Sequence, residues 1–141
     1  MSSPGQRTLV LLKPDAVRRG LVGNIVSRFE AKGLSVVALE LRTIDDETAD
    51  AHYSEHVAKD FYPPLRAFVT SGPMVALVLE GDEAVEVVRA INGATDGRRA
   101  APGTIRGDLS LSNRENLVHG SDSLESAERE IAMWFPGLGS A

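Results

Sequence analysis

Two uninterrupted apolar runs, Leu9 to Leu12 and Met74 to Leu79, constrain the fold of this chain most strongly. Each is far shorter than the ~20 residues that cross a bilayer as a helix. Each is also bounded by strong chain breakers. Thr8 to Lys13 stops at Pro14-Asp15, and Met74 to Glu80 begins just after Ser71-Gly72-Pro73, so both read as strands.

The intervening segments take complementary periods. Leu21, Val22, Ile25, Val26 and Phe29 recur at helical spacing, and Gly33 supplies a stop. Leu34 to Arg42 reads as a strand with Val37, Leu39 and Leu41 on one side and Glu40 and Arg42 on the other. Asp45-Asp46 caps a helix to about Val57, and a short helix through Leu65, Phe68 and Val69 follows Pro63-Pro64. Asp82 caps a helix using Ala84, Val85, Val88 and Ile91, which Asn92-Gly93 closes. Gly93 to Glu115 lacks periodicity, the mark of a functional loop. Leu117, Val118 and His119 form a short last strand. A final helix buries Leu124, Ala127, Ile131 and Trp134, with Asp122-Ser-Leu-Glu125 as a capping-box-like start. Setting the helical insertion aside, the order βαββαβ predicts an α+β, ferredoxin-like antiparallel sheet with helices on one face. A helical-hairpin insertion and a long loop before the last strand complete that plan.

With 141 residues and no repeats or linkers, a single domain over 1–141 is expected. Apolar content of 43% and charged content of 25% are those of an ordinary globular protein. The absence of cysteine removes disulfides, thiolate metal sites and a cysteine nucleophile, and suits a cytoplasmic location. Met1 to Arg7 is polar and lacks the apolar core of a secretion signal. Fifteen basic against twenty acidic residues give a net charge of −5, which argues against a nucleic-acid partner. No membrane partner is expected either.

The chemistry concentrates in Asn116-Leu-Val-His119-Gly-Ser-Asp122, directly before the last helix. A histidine flanked by Leu117 and Val118 is more often a structural residue, but its neighbours favour a nucleophile. Asn116 can bond a ligand oxygen, Ser121 can donate or accept beside the ring, and Glu130 lies at the edge of the following helix's apolar stripe. A carboxylate beside an imidazole fixes its tautomer and stabilises its cation. Lys13, Arg89 and Arg106 are suited to phosphoryl transfer, which rests on positioning and charge stabilisation. No P-loop or protein-kinase motif is present, and Gly137-Leu-Gly139 carries no meaning in the tail. His52-Tyr-Ser-Glu55-His56 matches an inverted zinc-peptidase pattern by its letters, but reads better as a solvated helix face with Tyr53 turned inward. Arg106-Gly-Asp108 matches a cell-adhesion tripeptide only by chance.

This constellation resembles the nucleoside diphosphate kinase family. The family's N-x-x-H-G-S-D is Asn116 to Asp122, joined by Lys13-Pro-Asp15, Ser71-Gly-Pro73, Pro102-Gly-Thr-Ile-Arg-Gly-Asp108 and Ser123-Leu-Glu-Ser-Ala-Glu-Arg-Glu130. The motifs fall in family order from residue 8 to about residue 137. The resemblance implies a ping-pong kinase in which ATP phosphorylates His119 on Nδ1 and a nucleoside diphosphate then takes the phosphoryl group. It implies that Lys13, Arg89, Thr95, Arg106 and Asn116 hold phosphates and ribose and that Tyr53 lies near the nucleophile. Glu130 would orient the imidazole, Ser121 would support it, and Phe61 and Leu65 would clamp the base. Mg²⁺ would be carried on the nucleotide phosphates, with no metal ligands from the protein. A homo-oligomer is implied, a hexamer first, with tetramer and dimer as alternatives. The chain departs from the family pattern at Ala16, usually Gly, at Thr95-Asp96-Gly97, usually Thr-Asn-Pro, and at Asn113, where an apolar base contact is common. Gly97 is expected to loosen its loop. The competing reading is a non-catalytic ferredoxin-like module that binds a nucleotide, small ligand or RNA, against which the complete set of site residues stands.

Overall fold

A computed structural model describes residues 5–138. The first four residues of the polar N-terminal segment and Gly139 of the Gly-Leu-Gly triplet lie outside the described residues. Strands β1 (Gln6–Leu12), β2 (Ser35–Arg42), β3 (Met74–Gly81) and β4 (Val118–Gly120) form one antiparallel sheet in the order β2-β3-β1-β4. Helices α2 (Val22–Lys32) and α5 (Ala84–Asn92) are the two crossovers. The result is the ferredoxin-like α+β plan with its split βαβ units.

The apolar runs of β1 and β3 are unbroken because both faces of these central strands are buried. Val10, Leu12, Val75, Leu77 and Leu79 pack with Ile25 and Phe29 of α2 and Ala84 and Val88 of α5. The alternate residues Leu9, Leu11, Met74, Ala76 and Val78 face the other way. There they meet Ala49 of α3 (Asp46–His52), Phe68 and Val69 of α4 (Tyr62–Val69), and Trp134 of α7 (Leu124–Trp134). Helices on one face therefore describes the two crossovers only. The insertion and the last helix cover the opposite face. Each fully buried Leu, Ile or Phe side chain contributes about 1.5–3 kcal/mol.

Local departures have local causes. β2 is an edge strand with a bulge between Val36 and Ala38, and Leu39 and Leu41 are 49% and 61% exposed. The alternation in β2 therefore does not mark a core face. α3 is capped by Asp45, whose side chain accepts from the Thr48 amide, and ends at His52 rather than near Val57. At α5 the cap is Glu83, in a left-handed conformation, rather than Asp82. Ser123 caps α7 by accepting from the Ser126 amide, one residue later than the capping-box reading places it, and this leaves Leu124 exposed. Two single-turn helices are too short to carry a periodic signal: α1 (Pro14–Arg18) after Lys13, and α6 (Ile105–Leu109) inside the long loop. Among the described residues, no helix is long and apolar enough to cross a membrane.

Candidate active site

A cleft of about 930 Å³ opens at the β4 edge of the sheet, between α5, the 93–116 loop and the insertion. Lys13, Tyr53, Phe61, Leu65, Arg89, Thr95, Arg106, Asn116 and His119 all line it. Ser121 and Glu130 are buried behind His119 rather than on the cleft wall. All eleven site residues expected from the sequence thus gather in or immediately beside one cavity.

His119 is held by its strand. β4 pairs antiparallel with β1, setting His119 against Leu11. Its Nε2 lies 3.0 Å from Glu130 Oε1. On α7 the buried residues are Ala127, Glu130 and Trp134, so helical periodicity itself carries Glu130 inward. Ser121 Oγ donates to the same Oε1 at 2.7 Å. Burial alone raises the Glu130 pKa, but the bond and charge of His119 and the Ser121 bond outweigh it, and the net shift is downward. An ionised carboxylate can only accept, so the imidazole proton sits on Nε2 and Nδ1 keeps its lone pair.

A second histidine, His52, backs this ring. It is buried, at 8% exposure, and its ring meets His119 edgewise with centroids 4.8 Å apart. Trp134 Nε1 donates to His52 Nδ1 at 3.0 Å. Burial first, then the charge of His119, push its pKa down to about 3. The solvated-face reading of His52 is therefore wrong. Its neighbour three residues earlier, Ala49, is also buried, and that spacing was the available signal. Tyr53 does turn inward: its ring packs edgewise on His52 at 4.6 Å. Burial, then the Glu130 charge, raise its phenol well above the ordinary value.

His52, His119 and Glu130 offer ligand atoms within 4.8 Å of one another, the closest approach to a metal triad among the described residues. Of these, His119 Nε2 and Glu130 Oε1 bond each other, Ser121 shares Oε1, and Trp134 takes His52 Nδ1.

The cationic side is equally tied. Lys13 Nζ donates to Asn116 Oδ1 at 2.9 Å, and Asn116 Nδ2 donates to the carbonyls of Thr95 and Asn113. Burial, then the charge of Arg106, lower Lys13 to about 8. Arg106 donates from Nε to Asn116 O, from Nη1 to Gly93 O and from Nη2 to Val118 O. One hydrogen each on Nη1 and Nη2 remains for a ligand. Burial and then Arg89 bring Arg106 down to about 10. Arg89 reaches the Asp122 carbonyl at 3.3 Å.

The 93–116 loop is not slack. The Gly97 amide donates to Ser112 O at 3.1 Å, and the space a Cβ would occupy is filled by Ser110. A proline could neither donate that bond nor fit there, so the expected loosening at Gly97 is replaced by close packing.

Known proteins show the same architecture. Residues 6–138 match the family described as nucleoside diphosphate kinase. A nucleoside diphosphate kinase of Nocardioides sp. is 80% identical over 132 residues, covering 94% of this chain and 98% of the relative. One from Cutibacterium acnes is 62% identical over 136 residues, covering 96% and 99%. The solved structure of the halophilic enzyme from Halobacterium salinarum, in complex with CDP, superposes with a TM-score of 0.91 at 50% identity, covering 93% of this chain and 88% of that one. With a matched fold, the expected site residues gathered at one cleft and a family match over residues 6–138, the chain belongs to the nucleoside diphosphate kinase family.

Proposed function

We propose that His119 carries the phosphoryl group in a ping-pong transfer from ATP to nucleoside diphosphates. The observation that supports this best is the 3.0 Å bond from His119 Nε2 to Glu130. It keeps the proton on Nε2 and leaves Nδ1 free to attack. The Nδ1 lone pair forms a bond to the γ-phosphorus as the bond to the ADP oxygen breaks. The β-phosphate oxygen of a second nucleotide then takes the group, breaking N–P and restoring the ring. The cation that forms on the imidazole is balanced by Glu130, which Ser121 holds in place.

Lys13, Arg89 and Arg106 stabilise the charge on the equatorial and leaving oxygens. Among the described residues lining the cleft, Asp122 is the one carboxylate, so the donor set suits a Mg²⁺ ion carried by nucleotide phosphates rather than a protein cage. When bound, that ion supplies charge neutralisation between phosphate oxygens. At the outer end, Phe61 is half exposed beside Leu65, an arrangement suited to stacking a base without reading its edge.

The chain acts as one domain over 1–141, and the two core layers sharing one sheet support that reading. It assembles as a homo-oligomer, a hexamer first. The open β2 edge with Leu39 and Leu41 exposed supports burial against another copy. A cytoplasmic location is consistent with the cysteine-free sequence.

Incubation with γ-labelled ATP and Mg²⁺ tests the mechanism. Acid-labile, alkali-stable label that is absent from His119→Ala and leaves as GTP on addition of GDP is the expected result. Label that persists in His119→Ala, or that GDP cannot remove, overturns it.

A further inference from the structure

Between Asn116 and His119 the backbone is bent against its own preference. Leu117 has φ +74°, one of two non-glycine residues with positive φ among the described residues. The Val118 amide donates to the Asn116 carbonyl at 2.8 Å, closing a three-residue turn around Leu117. A γ-turn of this hand is rare and strained. Leu117 is also fully buried, and its side chain belongs to the core.

The turn is gripped from two sides. On one, Arg106 donates to the carbonyls of Asn116 and Val118, the residues flanking Leu117. On the other, the Leu117 amide donates to Asp15 Oδ2 at 3.1 Å, and the Lys13 amide donates to the Leu117 carbonyl at 2.8 Å. Asp15 is itself buried, at 3% exposure, and its second oxygen has no protein partner. Keeping a carboxylate in that place is unfavourable for the fold. Lys13 does not relieve it by direct contact, because Nζ turns to Asn116. What Asp15 does hold is the amide of the turn's central residue, Leu117.

We propose that Asp15 is a positioning residue for phosphoryl transfer: by accepting from the Leu117 amide it holds the turn that aims Asn116 at Lys13 and His119 at Glu130. The turn reverses the chain within three residues, so the side chains on either side diverge. Asn116 points into the Lys13–Thr95 network, while His119 enters β4 and meets α7. If the clamp opens, Leu117 relaxes toward negative φ and β4 shifts against β1. His119 then loses its register with Glu130, although no group that touches nucleotide has changed. Displacement of a reacting group by about 1 Å can cost on the order of 10²-fold in rate. The inference rests on the reading of His119 as phosphoryl acceptor.

Rapid-quench labelling of the full chain with γ-labelled ATP and Mg²⁺ separates the two. The wild-type protein must label on His119; if it does not, the reading of His119 fails and not the Asp15 clamp. Given that label, Asp15→Ala is expected to lower the phosphorylation rate at saturating ATP by roughly tenfold or more. Its half-saturating ATP concentration should stay within about threefold, because the phosphate-binding side chains remain. Asp15→Asn keeps a carbonyl oxygen for the Leu117 amide and should recover most of the rate. A wild-type rate in folded Asp15→Ala overturns the proposal, as does a loss confined to half-saturation. An equal loss in Asp15→Asn also overturns it, since the charge and not the acceptor would then matter. Should Asp15→Ala not fold, hydrogen exchange at the Leu117 amide replaces it. Protection matching the β1 amides in both wild type and Asp15→Asn supports the clamp, and exchange at an open-loop rate in wild type overturns it.

Discussion

Trp134 Nε1 donates to His52 Nδ1 at 3.0 Å, and this one bond decides what faces the back of the His119 ring. With Nδ1 accepting, the proton of His52 is on Nε2, and burial keeps the ring neutral. A second cation beside His119 would disfavour the charge that its phosphorylation creates.

Trp134→Phe keeps most of the apolar volume and removes the donor. His52 Nδ1 is then buried without a partner, at a cost of about 1–3 kcal/mol. Urea unfolding of wild type and variant at pH 7 measures the difference. A change below about 0.5 kcal/mol would mean that the bond carries no weight.

Lys13 sits in the fold against its solvation. Its pKa falls from 10.5 to about 8 through burial and the Arg106 charge, so the ammonium destabilises the folded state below about pH 8. That penalty is relieved as pH rises from about 8 to 10.5, because the unfolded chain then binds the extra proton. Lys13→Met is expected to slow phosphorylation on the order of 10²-fold. It should also be more stable than wild type at pH 7 by up to about 3 kcal/mol, less the cost of orphaning Asn116 Oδ1. Parallel unfolding curves should show the gap closing between about pH 8 and pH 10.5. A variant less stable than wild type at pH 7 would contradict this account.

Glu130 titrates the other way. Its net depression makes the carboxylate a stabilising group above its ordinary 4.5, and that contribution is lost as pH falls through its folded value. Glu130→Gln can present an N–H to His119 Nε2 and so favour the wrong tautomer, slowing phosphorylation by about 10²-fold or more. The stability gap to wild type should be present at pH 7 and shrink as pH falls below 4.5 through the depressed folded value. A gap that persists in acid would show that the carboxylate charge is not its source.

Gly97→Ala tests the packing of the phosphate loop. The new methyl group runs into Ser110, so a loss of about 1–3 kcal/mol is expected. Thermal unfolding of the two proteins decides it. An unchanged midpoint would restore the picture of a loose loop.

Much of this was legible in the chain itself, and the failures have physical causes. The runs in β1 and β3, the Gly33 stop and the Asp45 cap announce themselves locally, through period and capping chemistry. Glu130 was readable because it falls in step with Ala127 and Trp134. The exposure of Leu39 and Leu41 was not, since alternation looks the same on an edge strand as on a central one. His52 was missed because the partner that buries it, Trp134, lies 82 residues away. The Asp15–Leu117 bond likewise joins residues 102 apart and depends on a backbone angle that leucine rarely adopts.

The two ends of the cleft are built from different stretches of chain. Phe61 and Leu65 stand on the insertion, whereas Arg106 and Asn116 belong to the 93–116 segment and its exit. On the proposed reading, a bound nucleotide touches both. It therefore works as a brace between two segments that pack on opposite faces of the sheet. Binding free energy then adds to the stability of the folded cleft by mass action, holding its two ends together just when the geometry at His119 matters.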